Sequence, residues 1–285
     1  MQAMGVRCGM KLKGESAKNR TIFAIDHNAF NDLCNPEACY WLGLLLADGC
    51  MSFQKRSKSW VCHLGSVDKE MIEGFKLFLK AENSICQYLP RRGKMFFSMR
   101  ITHVKLCDRL RSLGMIPRKS LTLLFPESVP SQNISHFIRG YFDGDGCISI
   151  QKGKRTNQLH FHIVGSQNLI QSVQGHLVSQ AGISKTKLVR TANVWNIHSK
   201  KREDIDKIRR YLYRDANTYL MRKKRIFETE LIQNRTGYSS SRIGVSYRPL
   251  KNRWRATYRL EGNRKERIFQ TESDAIKFLN SLSVC

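Results

Sequence analysis

The segment "HFIRGYFDGDGCISI", residues 136–150, reads as an apolar helix that runs into two aspartates and two glycines and turns at once into an alternating strand. Aspartate is a poor residue for a helix end. The backbone dipole leaves about half a negative charge there, so a carboxylate costs roughly 0.3–1 kcal/mol. A calcium loop is one use for Asp143, Asp145 and Gly146. An EF-hand needs an oxygen ligand at its fifth position and a Glu at its twelfth, and those positions hold Cys147 and Lys154. A helix stop with Gly146 in the left-handed conformation accounts for the glycine and leaves the acid unexplained.

A second copy lies upstream. "EACYWLGLLLADGCMSF", residues 37–53, is again an apolar helix with an internal glycine, then Asp-Gly-Cys and a strand. Gly43 stands five residues before Asp48, as Gly140 does before Asp145. Asn35 and Pro36 mark the start of the first helix as N-cap and first helical residue. The repeat continues beyond the motif. Each aspartate is followed by two alternating runs (50–56 and 59–65; 147–152 and 158–164) split by a basic turn. Gly-Ser (65–66; 165–166) then precedes a helix over 67–80 or 167–180. Strand-like segments (85–101; 185–198) follow, and Thr102 or Ser199 is expected to cap a further amphipathic helix.

"WLGLLLADG" and "IRGYFDGDG" resemble the two motifs of a LAGLIDADG homing endonuclease with both halves fused in one chain, over roughly 35–232. "LGMIPRKS" (113–120) is similar to the segment that joins the halves in bacterial and phage members. The resemblance implies an α+β fold of two pseudo-symmetric αββαββα halves, 35–126 and 127–232. The motif helices would pack together through their glycines, flanked by Trp41, Leu44, Leu45, Ile138, Tyr141 and Phe142. It implies a site-specific double-strand DNA endonuclease of a mobile element. Asp48 and Asp145 would be catalytic and would hold magnesium or manganese with the adjoining Gly49 and Gly146, without an organic cofactor. Lys94 and Lys187 are the candidates for the basic residue that members place near the metals. Leu46 stands where the second motif has Asp143, so Asp143 is given a structural or supporting role. The strand hairpins would lie in successive major grooves, with Lys55, Arg56, Lys58, Arg91 and Arg92 from one half and Lys152, Lys154, Arg155 and Arg190 from the other.

The chain of 285 residues has 49 Lys and Arg against 23 Asp and Glu, a net charge of +26. An excess this large points to a polyanionic partner, which the resemblance implies is double-stranded DNA bound by a monomer. The longest apolar run, 38–47, is far below the ~18 residues of a membrane span, and no secretory signal is visible at the start. Nine cysteines without a C-x-x-C suit reduced thiols in a cytoplasmic or organellar protein, although Cys34, Cys39, Cys62 and His63 remain a candidate metal cluster. Residues 1–34 carry weak signals and are expected to form an arm without assigned function.

After a linker, 233–243, with a Ser-rich core at 238–242, the segment 244–285 reads as three short strands and a helix. Trp254, Ala256 and Tyr258 alternate with Arg253, Arg255, Thr257 and Arg259, so one face is apolar and the other arginine-rich. Thr271 and Asp274 mark the helix start, and Ala275, Phe278 and Leu279 its apolar face. "GVSYRP" and "FQTESDAIKF" are similar to an ethylene-response-factor (Apetala-type) DNA-binding domain. On that resemblance Arg248 and Arg259 contact DNA, with Leu250 where plant members place a Trp. A reading from another class stays open: a non-cutting binder on the same fold, either an intron maturase acting on RNA or a DNA-binding regulator.

Overall fold

The computed structural model describes residues 23–91, 93–151, 158–233, 244–248, 253–260 and 263–282. In the first half, helix α1 (Pro36–Asp48) leads into β1 (Cys50–Gln54) and β2 (Ser59–Ser66), then α2 (Lys69–Phe78), β3 (Cys86–Tyr88), β4 (Phe96–Ile101) and α3 (Val104–Ser112). The second half repeats this order with α4 (Ile134–Asp145), β5 (Gly146–Gln151), β6 (Gln158–Gly165), α5 (Gln167–Ala181), β7 (Val189–Thr191), β8 (Val194–Ser199) and α6 (Arg202–Tyr213). Helix α7 (Met221–Phe227) and a π turn to Gln233 follow. The two four-stranded sheets share one topology, β1-β2-β4-β3 and β5-β6-β8-β7, antiparallel throughout.

The motif helices cross at the centre. Gly43 and Gly140 allow it: a Cβ on Gly43 would run into the Phe137 carbonyl and sit 2.8 Å from the Tyr141 nitrogen, and one on Gly140 would meet the Tyr40 carbonyl. Backbone against backbone leaves no side chain to swing away. Trp41, Leu44, Leu45, Ile138, Tyr141 and Phe142 are all buried in and around this crossing, as expected. Asn35 caps α1 by accepting from the Glu37 amide at 2.9 Å. The α4 start has no side-chain cap. Instead, buried Asn133 donates to the Leu33 and Cys34 carbonyls, both at 2.8 Å, pinning it beside the start of α1.

Several expectations are corrected. Gly146 is extended (φ −103°), as is Gly49 (φ −74°), so neither is a left-handed stop. They are glycines for space: a Cβ on Gly49 would crowd the Leu45 carbonyl and Met115, and one on Gly146 the Phe142 ring. Thr102 and Ser199 precede the caps they were expected to be, which are His103 and Lys201. Ser199 closes a turn by accepting from the Lys201 amide. Ser166 does cap α5, but Ser66 accepts from the Asp68 amide and α2 starts later. Residues 23–34 are less an arm than part of the first half. Phe30 and Leu33 are buried, and Arg109 Nε donates to the Phe30 carbonyl at 3.1 Å. The earlier part, 1–22, lies outside the described residues.

The C-terminal segment forms β9 (Val245–Arg248), β10 (Arg253–Leu260), β11 (Asn263–Phe269) and α8 (Glu272–Leu282). Its sheet order is β11-β10-β9. Ala256, Trp254 and Tyr258 pack with Ala275, Phe278 and Leu279 in a small core of their own. Thr271 caps α8, its Oγ1 accepting from the Asp274 amide at 3.2 Å. Of the expected linker 233–243, Gln233 ends the π turn and 234–243 lie outside the described residues.

Candidate active site

Asp48 and Asp145 end α1 and α4 where the two helices meet. The Asp48 carboxyl lies against the last turn of α4, since a Cβ on Gly144 would stand 3.2 Å from its Cγ. Asp48 keeps an exposed surface, yet the packed helix ends strip enough water from it to push its pKa up to about 6, with the charge of Asp145 adding to the shift. Loss of water also raises Asp145, against hydrogen bonding from Tyr141 and the nearby charges of Lys119 and Lys223.

Those two lysines resolve the puzzle of acids at helix ends. Lys119, buried on a short turn at Lys119–Leu121, donates to the Gly49 carbonyl at 2.5 Å. Arg118 before it takes the left-handed conformation (φ 57°), which costs a non-glycine residue roughly 1–2 kcal/mol. Lys223, buried on α7, gives all three ammonium protons to the end of α4, donating to the carbonyls of Phe142, Asp143 and Gly146 at 2.6, 2.8 and 2.6 Å. A cation at each C-terminus complements the dipole that the aspartates oppose. Burial lowers both lysine pKa values, Lys223 to about 8, while the aspartates resist the drop.

Lys119 and Lys223, not the expected Lys94 and Lys187, are the lysines bonded at these helix ends. Lys94 and Lys187 are exposed and lie in loops ahead of β4 and β7. Lys119 and Lys223 went unrecognised because neither sits in the repeat proper. The signal was available: a basic run, "PRKS" and "MRKKR", follows the third helix of each half. The Gly49 and Gly146 carbonyls, expected as metal ligands, are occupied by these ammonium groups. Asp143, expected in a structural or supporting role, is buried. Its Oδ2 accepts from the Tyr40 hydroxyl and the Leu220 amide, both at 2.8 Å.

The sheet faces turned from the core carry matching rows, Cys50–His63–Arg100 and Cys147–His162–His198, by strand register. Lys55, Arg56 and Lys58 are exposed on the β1–β2 turn, Arg91 lies exposed before β4, and Arg190 is exposed on β7. Arg92, Lys152, Lys154 and Arg155 lie outside the described residues, as does the Arg248 side chain. Arg253 and Arg259 are exposed, whereas Arg255 is half-buried, bonded to Ser246 and paired with Glu266 at 3.2 Å. Cys39 donates to the Leu33 carbonyl and Cys62 is fully buried, whereas Cys34 and His63 are exposed, so the four do not form one cluster. Among the described residues no group of three or more His, Cys, Asp and Glu is placed to hold a metal by itself. Among them too, no helix is long and apolar enough to cross a membrane.

No curated protein matches the chain. Solved structures similar to it include the LAGLIDADG meganuclease I-AabMI bound to uncleaved DNA, at 14% identity and TM-score 0.48, covering 71% of this chain and 92% of that one. The homing endonuclease I-GzeII in complex with its DNA target is similar at 12% identity and TM-score 0.49, covering 72% and 93%. I-SmaMI bound to cleaved DNA is similar at 15% identity and TM-score 0.47, covering 71% and 91%. Residues 132–234, which run from the start of α4 through α7 and so include Asp145 and Lys223, match the family model of the LAGLIDADG-like domain.

Proposed function

We propose that the protein is a site-specific, metal-dependent endonuclease that hydrolyses both strands of one long asymmetric DNA target, acting as a monomer. The observation that carries this reading is the meeting of Asp48 and Asp145 at the crossed helix ends, both partly stripped of water and raised in pKa. The carboxylates fit a hard divalent ion, which would relieve their repulsion. Magnesium commonly takes one or two carboxylates, several waters and the substrate's own phosphate oxygens, so two acids suffice. The Gly49 and Gly146 carbonyls do not fit, because ammonium groups already occupy them. Bound to Asp48 and Asp145, magnesium or manganese supplies Lewis acidity at the scissile phosphate and a water of lowered pKa.

The chain's own groups do the rest. Lys119 and Lys223 hold fixed positive charge beside the acids, which draws the phosphate in and opposes the negative charge that builds up in the transition state. Lys55, Arg56, Lys58, Arg91 and Arg190 bind backbone phosphates around the sheets, and the exposed sheet rows face base edges in the major groove. The test is to recover a target by magnesium-dependent cutting from a randomised duplex library. Asp48→Asn and Asp145→Asn should each abolish double-strand cleavage of it, with calcium-supported binding kept within a few-fold. Variants that cut at the wild-type rate would remove both aspartates from the reaction.

The C-terminal module, on its resemblance to the Apetala-type domain, serves as a second DNA contact. Arg255 is held by Glu266, and Arg253 and Arg259 are exposed on β10. Deleting 238–285 should leave a cutting core, with the slope of log affinity against log salt shallower by about 2. The loss of a tethered contact can reach ~10²-fold in affinity. An unchanged slope in a salt series would show that the arginine face does not bind DNA.

A further inference from the structure

The sheet faces turned from the core differ at matching positions. On the first, His63 stands opposite Arg100. On the second, His162 stands opposite His198, and His160 lies two residues before His162 on the same face of β6. The His160 ring is 5.4 Å from that of His162 and 6.5 Å from that of His198. Burial lowers the pKa of His160 and of His162, with Lys200 and His198 adding at the first and His160 and Lys223 at the second. At pH 7 both rings are therefore neutral, and each has one donor nitrogen and one acceptor.

The surroundings fix which is which. The Gln151 side-chain amide donates to His160 Nδ1 at 3.3 Å, so the His160 proton sits on Nε2. His162 Nδ1 is buried and has no hydrogen-bond partner among the described residues. An N–H is rarely left buried without an acceptor, so this proton too sits on Nε2. Two Nε2–H groups, with the Lys200 ammonium beside them, make this part of the face a row of donors. Among major-groove base edges guanine alone offers two acceptors, N7 and O6, with neither a donor nor a methyl group. The 5.4 Å between the rings falls between one and two base-pair steps of ~3.4 Å, so they address neighbouring base pairs.

Resting on the endonuclease reading above, we propose that His160 and His162 specify guanine at two neighbouring base pairs in the half of the target bound by the second sheet. Gln151 acts as a positioning residue for His160. Neutral donors discriminate by hydrogen bonding, so they select sequence without adding to non-specific affinity.

The experiment selects bound duplexes from a randomised library with the full chain and calcium, then measures affinity for the selected sequence. The wild type should require guanine at two neighbouring positions on one side of the cutting centre. His162→Ala should relax one of them and His160→Ala the other, each by about ten-fold, with the rest of the profile kept. Gln151→Leu should relax the His160 position alone. His63→Ala, on the first sheet, should leave both positions as they are. Replacing the two guanines with 7-deazaguanine, which lacks the N7 acceptor, should weaken wild-type binding, a comparison that stands even where a histidine variant fails to fold. No guanine preference at neighbouring positions, a preference that survives both histidine variants, or 7-deazaguanine duplexes bound as tightly as the parent would each overturn the proposal. Failure to retain or cut any library duplex would instead overturn the endonuclease reading beneath it.

Discussion

At matching positions α1 ends with Leu44, Leu46 and Asp48, and α4 with Tyr141, Asp143 and Asp145. Only the final acid is shared. In α4 the extra polar groups are tied in: Asp143 accepts from Tyr40 and Leu220, Tyr141 reaches Val164, and Lys223 closes the last turn with three hydrogen bonds. In α1 the corresponding side chains are leucines, and Lys119 makes one bond to the helix end. The two motif helices thus share the final acid and differ in what surrounds it. One end is held by polar contacts and the other by apolar packing.

The largest expected effect tests what the two ends have in common. Gly140→Ala places a methyl against the Tyr40 backbone, where no rotamer change gives relief, so the helices must separate. Overpacking of this kind costs about 3 kcal/mol or more. Urea unfolding should show it, and a cost below ~1 kcal/mol would mean that the crossing is looser than described.

A smaller effect sharpens the contrast. Lys223→Met removes three hydrogen bonds from a charged donor, two of them buried, whereas Lys119→Met removes one. Such bonds contribute about 1.5–3 kcal/mol each, so the first variant should lose at least roughly 2 kcal/mol more stability than the second in the same urea series. Equal losses would mean that the two lysines brace their helices alike.

Much of this was legible in the sequence because a repeat doubles every signal. The glycine-to-aspartate spacing, the alternating runs and the helix starts each occurred twice, and both motif helices and both sheets stand where that pattern put them. What escaped was set by tertiary contact. The two lysines come from short elements, a single turn and the seven-residue α7, whose local sequence carries no clear periodicity, and only the fold brings Lys119 to Gly49 or Lys223 to Gly146. Gly146 suggested a left-handed stop, but it and Gly49 are needed for space against Phe142 and Met115, which no local pattern encodes. Lys94 and Lys187 were chosen by position in strand-like segments. Both lie in exposed loops, because the strands proved shorter than the patterned runs.

The central claim is that Asp48 and Asp145 form one site whose charge is tolerated poorly without an ion. Asp48 is pushed up from 3.8 to about 6, so between those values the folded chain holds a proton that the unfolded chain has released. Metal-free stability should therefore fall as pH rises from about 4 to about 6 and stay lower above that. The loss is about 1 kcal/mol once the shift is discounted for the exposed surface of Asp48. Asp143, raised to about 6 inside the core, adds to the fall in the same window. The most direct measurement is thermal melting of the wild type and the Asp48→Asn, Asp145→Asn double variant at pH 7, with and without magnesium. Without metal the double variant should melt higher, and magnesium should raise the melting temperature of the wild type alone. Equal magnesium shifts in the two proteins, or a double variant that melts lower without metal, would contradict a metal site built on these two aspartates.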